Sequence, residues 1–374
     1  MSTAALPEVP TTPALPDLSD VEDHNSPDLT PVATEAELAA CDVLRDAAYA
    51  ALTENGTKPL DKTAAPLFTR EALVRYLRAR RSTSKNVSAS VKMMVASAKW
   101  RQEYDLEAKL KEWADDTSPE AMELRKAWPC GVFGVDVRGC PVYYARYGLI
   151  DLAALEKRFG FERILRLALT EQRQIELGLE VASRAHGKHL VQVVCVADFE
   201  GMQWSRALRA VPIFKRLSNV LDSHFPERLH VGFVARAPGL FSGIYKLVEP
   251  FLAPDTRAKA RICGKSEDHV GALSQLVPRG NIPAFLGGDA ALCPIGDGSV
   301  ATSSSVPPPP KSEQPQQHQS HAEGVGAPAA SPAVNAEPRA PSSAPSSASG
   351  EAAAAVVAAA VAEVSSGSRV GQST

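Results

Sequence analysis

Two runs of consecutive apolar residues restrict the fold more than any other feature of the sequence. Leu190–Phe199 reads LVQVVCVADF and Leu229–Ala235 reads LHVGFVA. Runs of this kind are typical of strands that are buried on both faces of a sheet. A helical pattern over Arg206–His224 separates them. Strands that alternate with long helices predict an α/β sandwich built around one sheet.

The remaining elements follow from the same periodicities. Residues 38–104 are rich in Ala, Lys, Arg and Glu and have two apolar stripes at helical spacing. This pattern predicts a small helical region. Within it, Thr69 is a predicted N-cap. Thr117–Glu120 predicts a further helix start. The other predicted elements are a hairpin of Gly131–Val137 and Pro141–Tyr147, helices over Phe159–Leu179 and Pro238–Phe251, and a strand at Arg261–Cys263.

The two ends of the chain have a different composition. Residues 1–37 contain eight acidic residues and no Lys or Arg. Residues 289–374 consist mostly of Ala, Pro, Ser, Gly and Gln, with two Ile or Leu residues and no aromatic residue. Neither end has the bulky apolar surface that offsets the entropy of ordering. The sequence therefore predicts disordered tails at 1–37 and 289–374, a helical region at 38–104 and a second domain at 119–288.

The charge of the chain is unevenly distributed. The chain has 40 basic and 43 acidic residues, of which the two tails hold 3 and 15. Residues 38–288 consequently carry 37 basic and 28 acidic residues, a balance of +9. A basic core indicates an anionic partner, which is a nucleic acid, a phosphate-bearing ligand or an acidic membrane surface.

Several classes of protein are disfavoured. The apolar run Ala352–Ala362 has 11 residues and is too short to span a bilayer. The N-terminus lacks the basic start and apolar stretch of a secretory signal. The six cysteines are scattered without a CxxC pair, which indicates reduced thiols of a cytoplasmic protein.

No motif of catalysis or metal binding is complete. Gly264-Lys265-Ser266 lacks the upstream Gly of a phosphate-binding loop, and neither G-x-S-x-G nor H-E-x-x-H occurs. Asp198 and Glu200 end a predicted strand, where capping of the next helix is the favoured interpretation over acid–base chemistry. We expect no enzymatic activity, no metal and no cofactor.

Eight short motifs occur in a fixed order along the chain. They are YLRARR at 76–81, KWR at 99–101, DVRGCPVY at 136–143, ADFEG at 197–201, FPERL at 225–229, APGLF at 237–241, PFLAP at 250–254 and NIPAFLGG at 281–288. Over about residues 60–288 the sequence resembles a CRAL-TRIO domain of the Sec-fourteen-like phosphatidylinositol transfer family. The resemblance implies a helical N-terminal region, then an α/β sandwich with a mixed sheet, a hydrophobic lipid pocket and a mobile gate helix over its mouth.

The segment Gly239–Leu252 matches the expected gate helix. One helical face would be entirely large and apolar, formed by Phe241, Ile244, Tyr245, Val248, Phe251 and Leu252. Gly and Pro residues at both ends suit hinges. The alternative is an ordinary helix packed in the core.

The resemblance also implies a site for the phosphatidylinositol headgroup. Its residue types match at five positions: Arg80, Arg81, Glu227, Thr256 and Lys259. A phosphodiester beside an apolar pocket requires charge-assisted donors. The alternative for the arginine pair is a solvated basic helix end.

The family positions that hold a choline lipid differ in this sequence. They carry Val193, Cys195 and Glu171 in place of hydroxyl residues and a Tyr, so the second ligand is left open.

The leading functional hypothesis is a non-enzymatic protein that binds, transfers and presents phosphatidylinositol. We expect a monomer with a bound phospholipid that associates peripherally with anionic membrane surfaces and does not bind nucleic acid. The alternatives are a carrier of another hydrophobic ligand, such as a sterol, tocopherol or retinoid, and a regulatory scaffold without lipid exchange.

Overall fold

The fold is described from a computed structural model, which covers residues 31–54, 66–238, 259–265 and 267–290, together with 293 and 295. The helices are α1 (Glu35–Glu54), α2 (Arg70–Ala79), α3 (Ser88–Tyr104), α4 (Leu106–Asp115), α5 (Pro119–Lys126), α6 (Leu152–Phe159), α7 (Phe161–His186), α8 (Trp204–His224) and α9 (His269–Ser274). The strands are β1 (Cys130–Val135), β2 (Pro141–Ala145), β3 (Val193–Asp198), β4 (Leu229–Ala237) and β5 (Ala260–Gly264). The predicted α/β fold with a helical N-terminal region is confirmed.

Local sequence signals account for several helix ends. The Thr69 hydroxyl accepts a hydrogen bond from the Ala72 N–H at 3.2 Å and caps α2. Ser118 caps α5 in the same way, and Pro119 occupies its first turn. Gly160, with φ of 81°, separates α6, which the sequence did not predict, from α7, which corresponds to the predicted helix over Phe159–Leu179 and continues to His186.

The five strands form one mixed sheet in the order β1-β2-β3-β4-β5. Strands β1 and β2 are the predicted antiparallel hairpin, and the other three pairs are parallel. Tyr143 of β2 lies opposite Cys195 of β3, which lies opposite Gly232 of β4. All six residues of β3 are buried, as the continuous apolar run predicts.

Both faces of the sheet are covered, because successive side chains of a strand point to opposite sides. One face packs on α7, where Ile175, Leu179 and Ala182 contact the odd-numbered residues of β3. The other face packs on the segment after β5, with Leu273 and Leu286 in its core. The sheet is therefore the central layer of a sandwich.

The folded part begins before the predicted boundary at residue 38. Val32 forms an isolated β-bridge with Leu190, and the Val191 N–H donates to the Pro31 carbonyl at 2.8 Å. Glu37 forms an ion pair with Arg78 of α2 at 2.7 Å. The acidic composition of this segment hides these contacts, which are made with residues far along the chain.

A buried carboxylate joins the helical region to the sandwich. Glu176 of α7 lies 3.3 Å from Arg101 of α3 and 3.1 Å from Arg173, and it also accepts a hydrogen bond from Arg228, which precedes β4. Burial alone would raise the pKa of Glu176, but these guanidiniums and that of Arg75 lower it to about 2. We call these five residues the Glu176 cluster.

Replacing Glu176 by Gln should destabilise the protein, because three buried arginines would lose their shared counter-charge. We expect a loss of about 3–5 kcal/mol in the free energy of unfolding, measured by denaturant titration. The control is Glu180→Gln, because Glu180 lies on the same helix and forms an exposed ion pair with Arg184. The free energy of unfolding of this variant should fall by less than about 1 kcal/mol.

The pH dependence of the free energy of unfolding gives a second test of the role of Glu176. The Glu176 pKa is lower in the folded state than its ordinary value of 4.5, so its stabilisation is present above pH 4.5 and is lost as the pH falls towards 2. The Glu176→Gln protein should lack this component. Equal stability of Glu176→Gln and the parent at pH 7 would contradict the assigned role.

Candidate functional site

A large cavity lies between the sheet, α7 and α8. Its empty space is about 1410 Å³, including the part that opens to solvent. The apolar lining residues include Trp128, Tyr143, Tyr147, Ile175, Val193, Cys195, Phe214, Leu217, Phe225 and Leu229. The polar lining side chains are Glu171, Gln172, Gln203, Arg206, Ser218, Asp222 and Arg228. A space of this size and lining suits an extended amphiphile.

Helical periodicity builds two walls of the cavity. Ala207, Ala210, Phe214, Leu217 and Leu221 of α8 recur at intervals of three and four residues and all line the cavity. Ala168, Glu171, Gln172 and Ile175 of α7 follow the same spacing on the opposite wall. Glu171 is the one carboxyl group among these α7 lining residues, and it lies next to the polar Gln172.

The turn after β2 contributes a third part of the lining. A side chain at Gly148 would come within 2.0 Å of the Glu200 carbonyl oxygen, so only glycine lets this turn approach the end of β3. The close approach brings Tyr147 into the cavity lining, where its ring lies 6.1 Å from that of Phe199.

Glu171 is the most unusual residue of the lining. Its carboxyl accepts hydrogen bonds from Trp128 Nε1 at 2.7 Å and from the Tyr143 hydroxyl at 2.9 Å. Burial raises its pKa to about 8, against the opposing effect of these two hydrogen bonds. The carboxyl is consequently protonated and uncharged at pH 7.

Four titratable groups that interact electrostatically with Glu171 are also uncharged. Burial raises the pKa of Cys195 to about 12 and holds those of Tyr143, Tyr147 and Cys130 well above their ordinary values. All four groups stay neutral at physiological pH.

Replacing Glu171 by Gln should stabilise the ligand-free protein at neutral pH. The folded-state pKa is raised, so the parent loses stability as the pH rises from 4.5 to 8, and the amide does not. We expect a gain of roughly 1–3 kcal/mol in the free energy of unfolding at pH 7 and no gain at pH 4. Denaturant titrations of delipidated protein measure the free energy of unfolding at both pH values. A variant that is less stable than the parent at both pH 7 and pH 4 would refute the raised pKa of Glu171.

The structure brings two of the five predicted headgroup residues together. Lys259 Nζ lies 3.4 Å from Glu227 Oε2, and both side chains are buried. Arg80 ends α2 and is half-buried, and Arg81 follows it on the surface. Thr256 lies outside the described residues, as do all the predicted gate residues at 241–252. The roles of the five headgroup residues and of the gate remain predictions.

Sequence reasoning missed the role of Arg228. It follows Glu227 directly, lines the cavity and belongs to the Glu176 cluster. Its guanidinium lies 4.9 Å from the centre of the Phe225 ring, and that of Arg101 lies 4.8 Å from the same ring. The FPERL motif contains Arg228, but its partners lie on α3 and α7, so sequence spacing does not indicate them.

The interpretation of Asp198 as a helix cap is wrong. Helix α8 begins at Trp204, and Asp198 instead accepts hydrogen bonds from the Glu200 N–H at 3.0 Å and from Arg236 Nε at 2.9 Å. A buried carboxylate at the end of a strand requires such charge-assisted donors.

Comparisons with known proteins agree with this architecture. Residues 125–288 match the CRAL/TRIO domain family. The SEC14 cytosolic factor of Candida glabrata is 31% identical over 218 residues, which is 58% of this chain and 69% of the relative. The chain belongs to the CRAL-TRIO family.

Two further comparisons concern a plant relative, which is similar in sequence, and a solved structure, which is similar in fold. The phosphatidylinositol/phosphatidylcholine transfer protein SFH11 of Arabidopsis thaliana is 29% identical over 193 residues, 51% of this chain and 50% of the relative. A chain from the crystal structure of Sfh5 superimposes with a TM-score of 0.50 at 16% identity, over 73% of this CRAL-TRIO chain and 94% of the other. At that identity the Sfh5 similarity concerns the fold alone.

In the part of the chain that the structure describes, every helix is too short or too polar to span a membrane.

Proposed function

We propose that this protein binds phosphatidylinositol and exchanges it at membrane surfaces without catalysing a reaction. The observation that carries the proposal is the buried Lys259–Glu227 ion pair, in a protein that also has a large apolar cavity. Glu227 directly precedes Arg228 and Leu229, which both line that cavity. An apolar space with a buried cation, Arg228, in its lining is complementary to an anionic amphiphile.

Each part of the pair has a role in binding. Lys259 is almost fully buried, with 3% of its surface exposed, and a buried ammonium needs an anion close to it. Glu227 supplies that anion while the headgroup site is empty. A lipid phosphate then brings a second anion to Lys259, and Glu227 becomes able to accept hydrogen bonds from the inositol hydroxyls.

The names of the relatives support this choice of ligand. One is a phosphatidylinositol/phosphatidylcholine transfer protein and another is a cytosolic factor. We extend phosphatidylinositol binding to this chain because Glu227 and Lys259 match the residue types that the family resemblance implies and form a buried ion pair. Phosphatidylcholine binding is not proposed, because Val193, Cys195 and Glu171 replace the hydroxyl residues and the Tyr that the family resemblance implies for that lipid.

Membrane docking belongs to the same proposal. The charge of +9 on residues 38–288 attracts the protein to anionic lipids, each basic residue near the surface contributing about 1 kcal/mol. The apolar pattern at 241–252 then provides a face that enters the interface during exchange. Association of this kind is peripheral and weakens with salt.

Lys259→Ala should strongly reduce phosphatidylinositol transfer between vesicles. The loss of a charge-assisted contact to a desolvated phosphate costs about 1.5–3 kcal/mol, which is roughly a 10- to 150-fold decrease in affinity. Equilibrium extraction of labelled phosphatidylinositol from vesicles measures this decrease.

The matched control is Lys157→Ala, which removes the same charge from an exposed position at the end of α6. It should retain parental extraction. If Lys259→Ala extracts as much phosphatidylinositol as Lys157→Ala does, Lys259 is not part of the headgroup site.

A further inference from the structure

Glu171 is a buried acid whose contacts in the described part of the chain include no cation. Its hydrogen-bond partners there, Trp128 and Tyr143, are both neutral. Only 6% of its surface is exposed, yet it lines a cavity large enough for a ligand. Buried carboxylates are normally paired with a cation. Glu176, one and a half turns further along the same helix, has three cationic partners.

The two hydrogen bonds prepare Glu171 to act as an anion. One donor contacts each of its oxygens, which is the arrangement that stabilises a carboxylate. The aromatic residues Trp128, Tyr143 and Tyr147 line the cavity together with it. Aromatic faces and a carboxylate are the groups that bind organic cations.

The same position disfavours a phosphate. An anionic group brought next to Glu171 would meet an acid whose hydrogen-bond partners in the described residues, Trp128 and Tyr143, are neutral and supply no counter-charge. The charged groups that share the cavity lining, Arg206, Asp222 and Arg228, belong to α8 and to the segment before β4. A ligand group at Glu171 is therefore neutral or cationic.

We propose that Glu171 binds the protonated nitrogen of a long-chain amine whose apolar chain lies in the cavity. The proposal rests on the proposed lipid-carrying function of this cavity and assigns a second class of ligand to it. An amide at this position would provide similar hydrogen bonds to Trp128 and Tyr143 but no counter-charge. The acid is the feature that selects an amine over an alcohol.

Binding of an amine changes the protonation of Glu171. The empty site holds a neutral carboxyl, because its pKa is about 8, and the free amine carries a proton at pH 7. Formation of the ion pair leaves both groups charged, so the carboxyl proton passes to the solvent. Cys130, Tyr143, Tyr147 and Cys195 face Glu171 and stay neutral throughout, since burial raises all their pKa values.

Decylamine and decanol are matched probes, since they share a chain and differ in the head group. Calorimetric titration in buffers of different ionisation enthalpy should show release of close to one proton per bound decylamine at pH 7 and none for decanol. Glu171→Gln should weaken decylamine binding about 100-fold or more, as loss of a buried counter-charge requires, and change decanol binding less than about threefold.

Extraction of phosphatidylinositol separates this proposal from the proposed function. If the parent extracts phosphatidylinositol but does not bind decylamine, or binds it without releasing a proton, the amine assignment is overturned and the lipid function stands. Failure of both ligands overturns both proposals. Equal decylamine affinity of Glu171→Gln and the parent also overturns the amine assignment, and retained decanol binding shows that the variant is folded.

Discussion

The position of the helical region on the sandwich depends on one buried carboxylate. Glu176 of α7 contacts Arg101 of α3 and Arg228 before β4, and Arg75 of α2 lies close enough to lower its pKa. The Arg101 and Arg228 guanidiniums lie 4.8 Å and 4.9 Å from the centre of the same Phe225 ring. Since Arg228 also lines the cavity, the packing of the helices and the shape of the ligand site are linked through the same ion pairs.

Two glutamates of α7 show how strongly surroundings determine the chemistry of a side chain. Both are buried, and burial alone raises the pKa of each. Several arginines lower the pKa of Glu176 to about 2, whereas two neutral donors leave that of Glu171 at about 8. One residue is therefore a fixed anion that stabilises the fold. The other is an uncharged acid that faces the cavity and becomes charged when a ligand supplies a cation.

Prediction from the sequence succeeded where local signals decide the outcome. The apolar run of β3, the hairpin of β1 and β2, the cap at Thr69 and the helix start within Thr117–Glu120 are all confirmed, because each depends on residues close together in the chain. The folded boundary before residue 38 and the partner of Asp198 were not foreseen. Both depend on contacts between distant segments.

The sequence by itself determined the fold class, the helical region and the family, because periodicity and an ordered set of motifs are properties of the chain. It also selected Glu227 and Lys259 through the family resemblance. Only the tertiary structure placed these two residues 3.4 Å apart, and only it moved the pKa values of Glu171 and Glu176 in opposite directions. The physical reason is that a pKa depends on burial and on nearby charges, and folding brings those together from separate elements.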